Sequence, residues 1–349
     1  MVGRSIRGRR WGGFRMMARA AALLAAAVGI AALPPAATAQ DAVDLRLAVG
    51  DPIASSVGVT AEKFAELVAD KTGGRVQIEV FPDGVLFGGD QNAAVNQLGG
   101  GSLDMLILST NVFASFEPRM NAMSLPYLFS DYDELIRYME GEPGQTLLDS
   151  LDRLDIEGLA MMLRTFRHVT TANRPVTKAS DLEGLKLRVP NNQLFVKFFQ
   201  AVGANPTPMA FVEVYTALQL GAIDGQENPV EVPLANRFYE VQKHLNLTGH
   251  IADGYILAIN KARWEGLPED LRAPMVEAAR EAADFKAEYD ISEEERVIEE
   301  LGQHGMAVHE LEPEEKEKLR QIALELYPEF EELIGADFMA QSLAFMGRK

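Results

Sequence analysis

Apolar and polar residues alternate from Asp44 to Val49 and again from Arg75 to Phe81, while the stretch between them repeats every three to four positions. The alternation predicts two strands. The longer period predicts a helix over 57–72, with Ala61, Phe64, Leu67 and Val68 inward and Glu62, Lys63, Glu66 and Asp70 outward. Gly73-Gly74 stops that helix, and Gly50-Asp51-Pro52 and Pro82-Asp83-Gly84 end the strands. Such a strand–helix–strand unit implies parallel pairing through a right-handed crossover. The pattern recurs as a helix over 90–98, broken by Gly99-Gly100-Gly101, and a short buried strand over 103–108. Helices over 131–139 and 144–151 precede a strand over 158–163, and His168 to Ala172 reads as a strand changing compartments.

Further on, 192–202 and 212–220 read as helices, the first placing Phe195, Phe198 and Phe199 in the core. Beyond Asn260 the chain becomes helical and acidic. No glycine or proline interrupts 275–301, so one unusually long helix is expected there, opened by Pro268 and Pro274 and long enough to span two domains. The run Glu293-Glu294-Glu295 reads as its solvated face. Helices over 312–326 and 330–345, the latter broken at Gly335, finish the chain.

The first 39 residues follow another rule. Arg4, Arg7, Arg9, Arg10, Arg15 and Arg19 precede the apolar run Ala20 to Leu33 and the small-residue motif Ala37-Thr38-Ala39. That is the layout of a cleavable secretory signal, cut after Ala39, and it predicts a periplasmic protein. The apolar run is shorter than the ~20 residues a bilayer requires. The Arg9-Arg10 pair leaves Sec and twin-arginine export both open. Losing six arginines takes the 33 basic side chains to 27 against 51 acids, a mature net charge of −24. So acidic a surface argues against nucleic acid as a partner and requires any anion site to be locally positive. The 349 residues allow two domains or one large one, and 47% hydrophobic with 24% charged residues fits a globular protein. There are no cysteines, which excludes disulfides and thiolate metal sites.

Enzyme signatures are missing: no GxSxG elbow, Walker loop, GxGxxG or HExxH occurs. His304 and His309 have loose metal-like spacing but flank a predicted turn and strand, so neither metal nor cofactor is expected. Among 51 acids no catalytic carboxylate couple stands out. The stretch from Asp181 to Pro229 is different. Arg188 ends a short apolar strand and is followed at once by Pro190, Asn191 and Asn192, and Asn228-Pro229 closes a second strand-and-turn signal. An arginine fork there suits bidentate carboxylate binding, a salt bridge to a surface acid being the alternative. Ser109 and Asn111 lie just past the 103–108 strand, where open α/β sheets bind ligands, although ordinary loop polarity would look the same. Phe211 follows Pro206-Thr207-Pro208 and is placed to present its ring at a loop.

At KLRVPNN, PTPMAFVEVYTALQLGAIDGQENP and FYEVQKHL, with FPDGVLFGG, GSLDM and LPEDLR in order, the sequence resembles the solute receptors of TRAP transporters, the DctP-type binding proteins of tripartite ATP-independent uptake systems. The resemblance implies an α/β, two-lobed periplasmic binding protein fold, type II-like, with hinge crossovers and a long lobe-spanning helix. Lobe I is expected at 40–164 plus 254–293 and lobe II at 165–253 plus 294–349, the bridging helix running over about 268–301. It implies a monomeric receptor rather than an enzyme, delivering a small organic acid to one small and one large integral membrane subunit.

By that resemblance Arg188 pairs with the ligand carboxylate and Asn228 meets the same end. Arg167 matches a second arginine with a one-residue difference in spacing, so Arg164 stays open for that role. Phe211 matches a ring that packs on the ligand. Asp90, Asn92, Ser109, Asn111, His168 and Asn191 are expected to serve hydroxyls. The sialate-binding branch carries a glutamate where Ser109 stands here, and an aromatic cage for ectoine lacks material, because Trp264 is the only tryptophan beyond residue 39. A sugar acid such as a uronate, or a C4-dicarboxylate, is the expected ligand. The alternatives are a 2-oxo acid, an aromatic acid or sialate, serving another importer or a sensor.

Overall fold

The structure is a computed structural model that describes residues 42–348; the expected signal sequence lies outside them. Strand β1 (Val43–Val49), helix α1 (Ser56–Lys71) and strand β2 (Val76–Phe81) form the anticipated parallel unit. Ser55 caps α1 by accepting from the Gly58 N–H, which starts the helix one residue before the apolar period does. Next come α2 (Gln91–Gly99), β3 (Met105–Ser109), the single turn α3 (Thr110–Phe113), α4 (Tyr132–Glu140), α5 (Glu142–Asp149) and β4 (Ile156–Leu163). The chain then enters a second group of elements. These are β5 (Arg167–Thr171), β6 (Lys186–Val189), α6 (Gln193–Ala201), β7 (Asn205–Pro208), α7 (Val214–Gln219), β8 (Gly225–Pro229), α8 (Glu231–Ala235) and β9 (His244–Ile251). It returns through β10 (Gly254–Asn260) and α9 (Lys261–Gly266). It ends with α10 (Glu269–Gln303), β11 (Ala307–Glu310), α11 (Pro313–Glu325), α12 (Tyr327–Ile334) and α13 (Ala336–Phe345).

Two sheets result. One has five strands in the order β2-β1-β3-β10-β4, the other six in the order β11-β9-β5-β8-β6-β7. The chain leaves the first sheet at Leu163, enters the second at Arg167, and goes back across Ala252 and Asp253. Strand β10 runs antiparallel to both its neighbours, β3 and β4, and β9 runs antiparallel to β5 but parallel to β11. Parallel pairing alone therefore does not describe either sheet. Strands β9 and β10 went unpredicted for opposite reasons. In GYILAIN every residue is buried, so no alternation marks it as a strand. In HLNLTGHI the buried polar residues conceal the period. Asn246, for example, donates to the Val169 carbonyl at 3.0 Å and accepts from the Val176 N–H at 2.8 Å.

Helix α10 has 35 residues, which at 1.5 Å each gives about 50 Å of length. Leu271, Met275, Ala278, Ala279 and Ala282 pack beneath the first sheet with Leu47 and Ile107, whereas Val297 and Leu301 pack with Leu245 of the second. Pro274 lies inside the helix; so near the start it costs a single intrahelical hydrogen bond. The expected helix 212–220 begins instead as a 3-10 turn, Phe211–Glu213. Gly335 divides α12 from α13 with φ of 95°, a left-handed conformation that glycine adopts without a Cβ clash. Phe195, Phe198 and Phe199 are buried, and the last two pack against His250. The acidic run on α10 is only partly a solvated face. Glu295 is exposed, but Glu294 is half-buried and accepts the Tyr132 hydroxyl at 2.8 Å. Among the described residues no helix is long and apolar enough to cross a membrane.

Candidate ligand-binding site

The ends of β3, β6 and β8, the Leu163–Arg167 crossover and the first residues of β10 converge on one groove between the sheets. Two adjoining cavities of about 30 Å³ each occupy it, sharing Gln91, Asn111, Val112, Arg188, Pro190 and Phe211 as walls. Each has room for roughly two water molecules, so the groove must widen to admit an organic acid. Across its mouth the loop after β2 meets the 3-10 turn at Phe211. A Cβ added to Gly89 would lie 3.1 Å from Val212 Cγ1. A larger groove, about 1460 Å³ between Lys178–Gly184 and the start of α11, is open to solvent and lined by exposed lysines and glutamates. Size therefore does not mark the site; buried charge does.

Three buried guanidiniums face the groove, and their partners differ. Arg167 is fully committed: Nε and Nη2 donate to both Glu227 carboxylate oxygens at 2.6 and 2.7 Å, and Nη2 also reaches the Glu227 carbonyl and Asn228 Oδ1. Burial would raise the Glu227 pKa, but Arg167 and the His250 hydrogen bond hold it down at about 2. Arg164 is held more loosely. It donates to Asn228 Oδ1 at 3.0 Å and lies 3.3–3.4 Å from Ser109 Oγ and Asp253 Oδ2, over the Tyr255 ring. Its Nε is buried without a hydrogen-bond partner among the described residues. Arg188 has no carboxylate within ion-pairing distance among the described residues. Nε and Nη2 donate to the Met209 carbonyl at 3.1 and 2.7 Å, and the guanidinium rests 5.8 Å from the centre of the Phe211 ring. Burial pulls its pKa down to about 9 despite Glu227, with Arg167 and Arg164 adding repulsion, yet at neutral pH it stays charged.

A polar scaffold fixes this arrangement. Asp253, fully buried in the return crossover, accepts from Ser109 Oγ at 3.0 Å and Asn111 Nδ2 at 2.6 Å. Asn228 holds Arg164 and Arg167 on its oxygen and gives its NH₂ to Gln226 Oε1 at 2.6 Å. Asn192 caps α6 and donates to the Asn111 carbonyl, tying the turn after β6 to the turn after β3.

The structure thus brings Arg164, Arg167, Arg188, Asn228, Ser109, Asn111 and Phe211 to the first cavity, and Asp90 and Asn191 with Asn92 to the second. Asp90 is exposed and its carboxylate caps α2, so part of its hydrogen-bonding capacity is already used. His168 does not belong to this group. It follows Arg167 on β5, and successive strand residues point to opposite faces. Its Nδ1 accepts from the Gly249 N–H at 3.0 Å, in a groove shared with Tyr127 and Phe166. His304 and His309 do not converge either. His309 hydrogen-bonds His244 at 3.0 Å, His304 stacks on Tyr239, and no metal-holding group of three or more His, Cys, Asp or Glu exists among the described residues. Asp51, Gln91 and Tyr255 line the first cavity and were not anticipated.

His168 carries a pH consequence. Burial, with His250 and Lys316 nearby, lowers its pKa from 6.5 to about 3. The folded state therefore resists a proton that the unfolded chain accepts. Stability is complete above pH 6.5 and falls as pH drops towards 3, by up to roughly 4–5 kcal/mol. Glu227 adds a further loss between pH 4.5 and about 2. Denaturant unfolding at pH 7.5 and 5 should show the first loss, and His168→Gln, which keeps an acceptor for Gly249, should flatten it.

Comparison with known proteins gives a consistent result. The profile of bacterial extracellular solute-binding protein family 7, DctP, matches residues 51–333. The chain is 34% identical over 250 residues to the 2,3-diketo-L-gulonate-binding periplasmic protein YiaO of Escherichia coli K12, covering 72% of this chain and 76% of that one. It is 35% identical over 285 residues to the C4-dicarboxylate-binding periplasmic protein DctP of Rhodobacter capsulatus, covering 81% and 85%. Among solved structures, the sugar acid binding protein DctPAm of Advenella mimigardefordensis in complex with galactonate superposes with a TM-score of 0.84 at 29% identity, covering 88% of this chain and 98% of that one.

Proposed function

This chain belongs to the DctP family of bacterial extracellular solute-binding proteins, receptors of TRAP uptake systems for small acids, and on that premise we propose that it captures a hydroxylated monocarboxylate of the sugar-acid class. The observation that carries this reading is Arg188, a buried cation at the groove with no anion of its own among the described residues. A ligand carboxylate supplies that anion, in bidentate contact with the guanidinium edge that Met209 leaves open. Arg164, with its unpartnered Nε, is the better second donor, because Arg167 is already matched to Glu227. Asn228 positions both arginines, and Phe211 backs the ligand.

Charge bookkeeping at the groove favours one carboxylate over two. Arg164, Arg167 and Arg188 face Glu227, Asp253 and Asp51, so the side chains of the groove come close to balancing in charge. A monocarboxylate leaves one excess negative charge there and a dicarboxylate two. Burial pushes the Asp51 pKa up against the pull of Arg164 and Lys286, and a carboxyl group in that position accepts ligand hydroxyls readily while repelling a second carboxylate. The relatives that bind 2,3-diketo-L-gulonate and galactonate take hydroxylated acids, which agrees; the C4-dicarboxylate relative sets the competing reading.

We further propose that the two sheets are the lobes expected at 40–164 plus 254–293 and 165–253 plus 294–349, closing about the crossovers and α10. In this reading the protein is a periplasmic monomer, exported on residues 1–39, that does no chemistry and hands its ligand to a small and a large membrane subunit. A thermal-shift panel tests the function. A cognate acid at about 100 Kd adds ~2.7 kcal/mol of stability, and a flat response to every organic acid would sink the reading. Asp51→Asn then separates the classes. It should weaken a sugar acid by roughly tenfold or more through one lost charged hydrogen bond, and leave succinate unchanged or tighter. Equal loss for both acids would exclude the charge argument.

A further inference from the structure

A separate, partly open cavity of about 120 Å³ lies where the two halves meet and shares no wall residue with the groove. Its walls come from the start of α1 (Ser55, Ser56), the crossover (Thr165), α8 (Glu231, Leu234) and the middle of α10 (Tyr289 to Val297). Four carboxylates reach it, and they are not equivalent. Asp290 is paired with Lys286 at 2.6 Å, and Glu293 with Arg296. Glu231 and Glu294 have no cationic partner within ion-pairing distance among the described residues. Glu294 accepts only the Tyr132 hydroxyl at 2.8 Å. Glu231 accepts from Thr165 through Oε2 at 3.3 Å, while its Oε1 is buried and makes no hydrogen bond among the described residues. A buried carboxylate oxygen without a donor is costly, and Asp290 repels both Glu231 and Glu294.

We propose that this cavity is a binding site for a small primary alkylammonium ion. Its ammonium group would donate to Glu231 Oε1 and offset the repulsion that Asp290 exerts on Glu231 and Glu294 alike. Its carbons would lie on Val230, Leu234 and Val297 beside the Tyr289 ring. Bare metal ions suit the space less well, because much of the wall is apolar and no cluster of three metal-ligating side chains exists among the described residues. By the volume one water needs, the cavity has room for roughly eight waters, or a chain of about four to six heavy atoms. The exposed Arg296 stands at its rim, giving a route to solvent. Since the walls belong to elements of both halves, an occupant that binds one relative arrangement better than another would couple to the groove.

The test uses the full chain and n-butylammonium chloride as the probe, by calorimetry and ligand-observed NMR at pH 8. The wild type should bind saturably at millimolar concentration or tighter. Glu231→Gln, isosteric and without the charge, should weaken binding at least tenfold, and Leu234→Phe, which fills the space, should weaken it comparably. Unfolding midpoints measured alongside establish that both variants are folded. Absence of saturable binding to the wild type up to 20 mM, on the order of the weakest affinity worth calling a site, would overturn the proposal, as would undiminished binding by folded Glu231→Gln.

Discussion

Arg188→Ala is expected to weaken binding of the cognate acid by roughly 2–5 kcal/mol, or about 30-fold to several thousandfold, the usual cost of truncating one side of a buried charge pair. The same change should leave the ligand-free protein as stable as the parent, or more so. The guanidinium is desolvated and has no carboxylate within ion-pairing distance among the described residues, and burial outweighs the pull of Glu227 to bring its pKa down to about 9. Removing it relieves that strain and leaves the Met209 carbonyl as the only orphaned partner. A residue present for stability would behave in the opposite way, its loss lowering the melting temperature and sparing affinity. Arg188→Lys should fall between the two, since an ammonium restores charge but not the two parallel hydrogen bonds of the fork. Calorimetry for affinity and thermal unfolding without ligand separate these cases.

The second large effect concerns Arg167 and Glu227, and it should appear mainly as stability. Both side chains are almost completely buried and their bidentate contact is 2.6–2.7 Å long. Arg167→Met or Glu227→Leu alone leaves an uncompensated buried charge, which costs about 3–5 kcal/mol. For a folded unit of this size that corresponds to roughly 5–8 °C in melting temperature. The double variant should lose less than either single one, because both charges go together. His250, which also contacts Glu227 at 3.2 Å between the rings of Phe198 and Phe199, will share in the rearrangement. If the double variant is as unstable as the sum of the singles, the two residues are not acting as a pair.

Much of the groove was legible because its key residues sit at strand ends. Arg188 closes a short apolar run just before Pro190 and Asn228 stands before Pro229 in a strand-and-turn signal, and the structure brings both to the groove. Asp51 stood in the same kind of position, in the turn after β1, yet it was read only as part of a turn and not for ligand contacts. The rule that found Ser109 and Asn111 would also have found Asp51. Tyr255 and Asp253 were hidden by the unpredicted β10 and the crossover before it. Glu227 and Asp253 were further concealed among 51 acids, since nothing in a sequence distinguishes a carboxylate that meets buried arginines from one that meets water. His168 failed on parity: Arg167 faces the groove, so the next residue on an extended strand cannot. Which arginine answers the ligand depends on which one already has a carboxylate, and pairing across 60 residues, as between Arg167 and Glu227, leaves no local trace.

The most direct test of the central claim is a calorimetric comparison of six-carbon aldonates and uronates with the aldoses and alditols of the same skeleton. A Kd at or below about 1 µM, near −8 kcal/mol, is expected for at least one acid. The neutral partner of that acid should show no measurable heat, and Arg188→Ala should erase the difference between the two. Comparable binding of the neutral sugar, or undiminished acid binding by Arg188→Ala, would contradict the account.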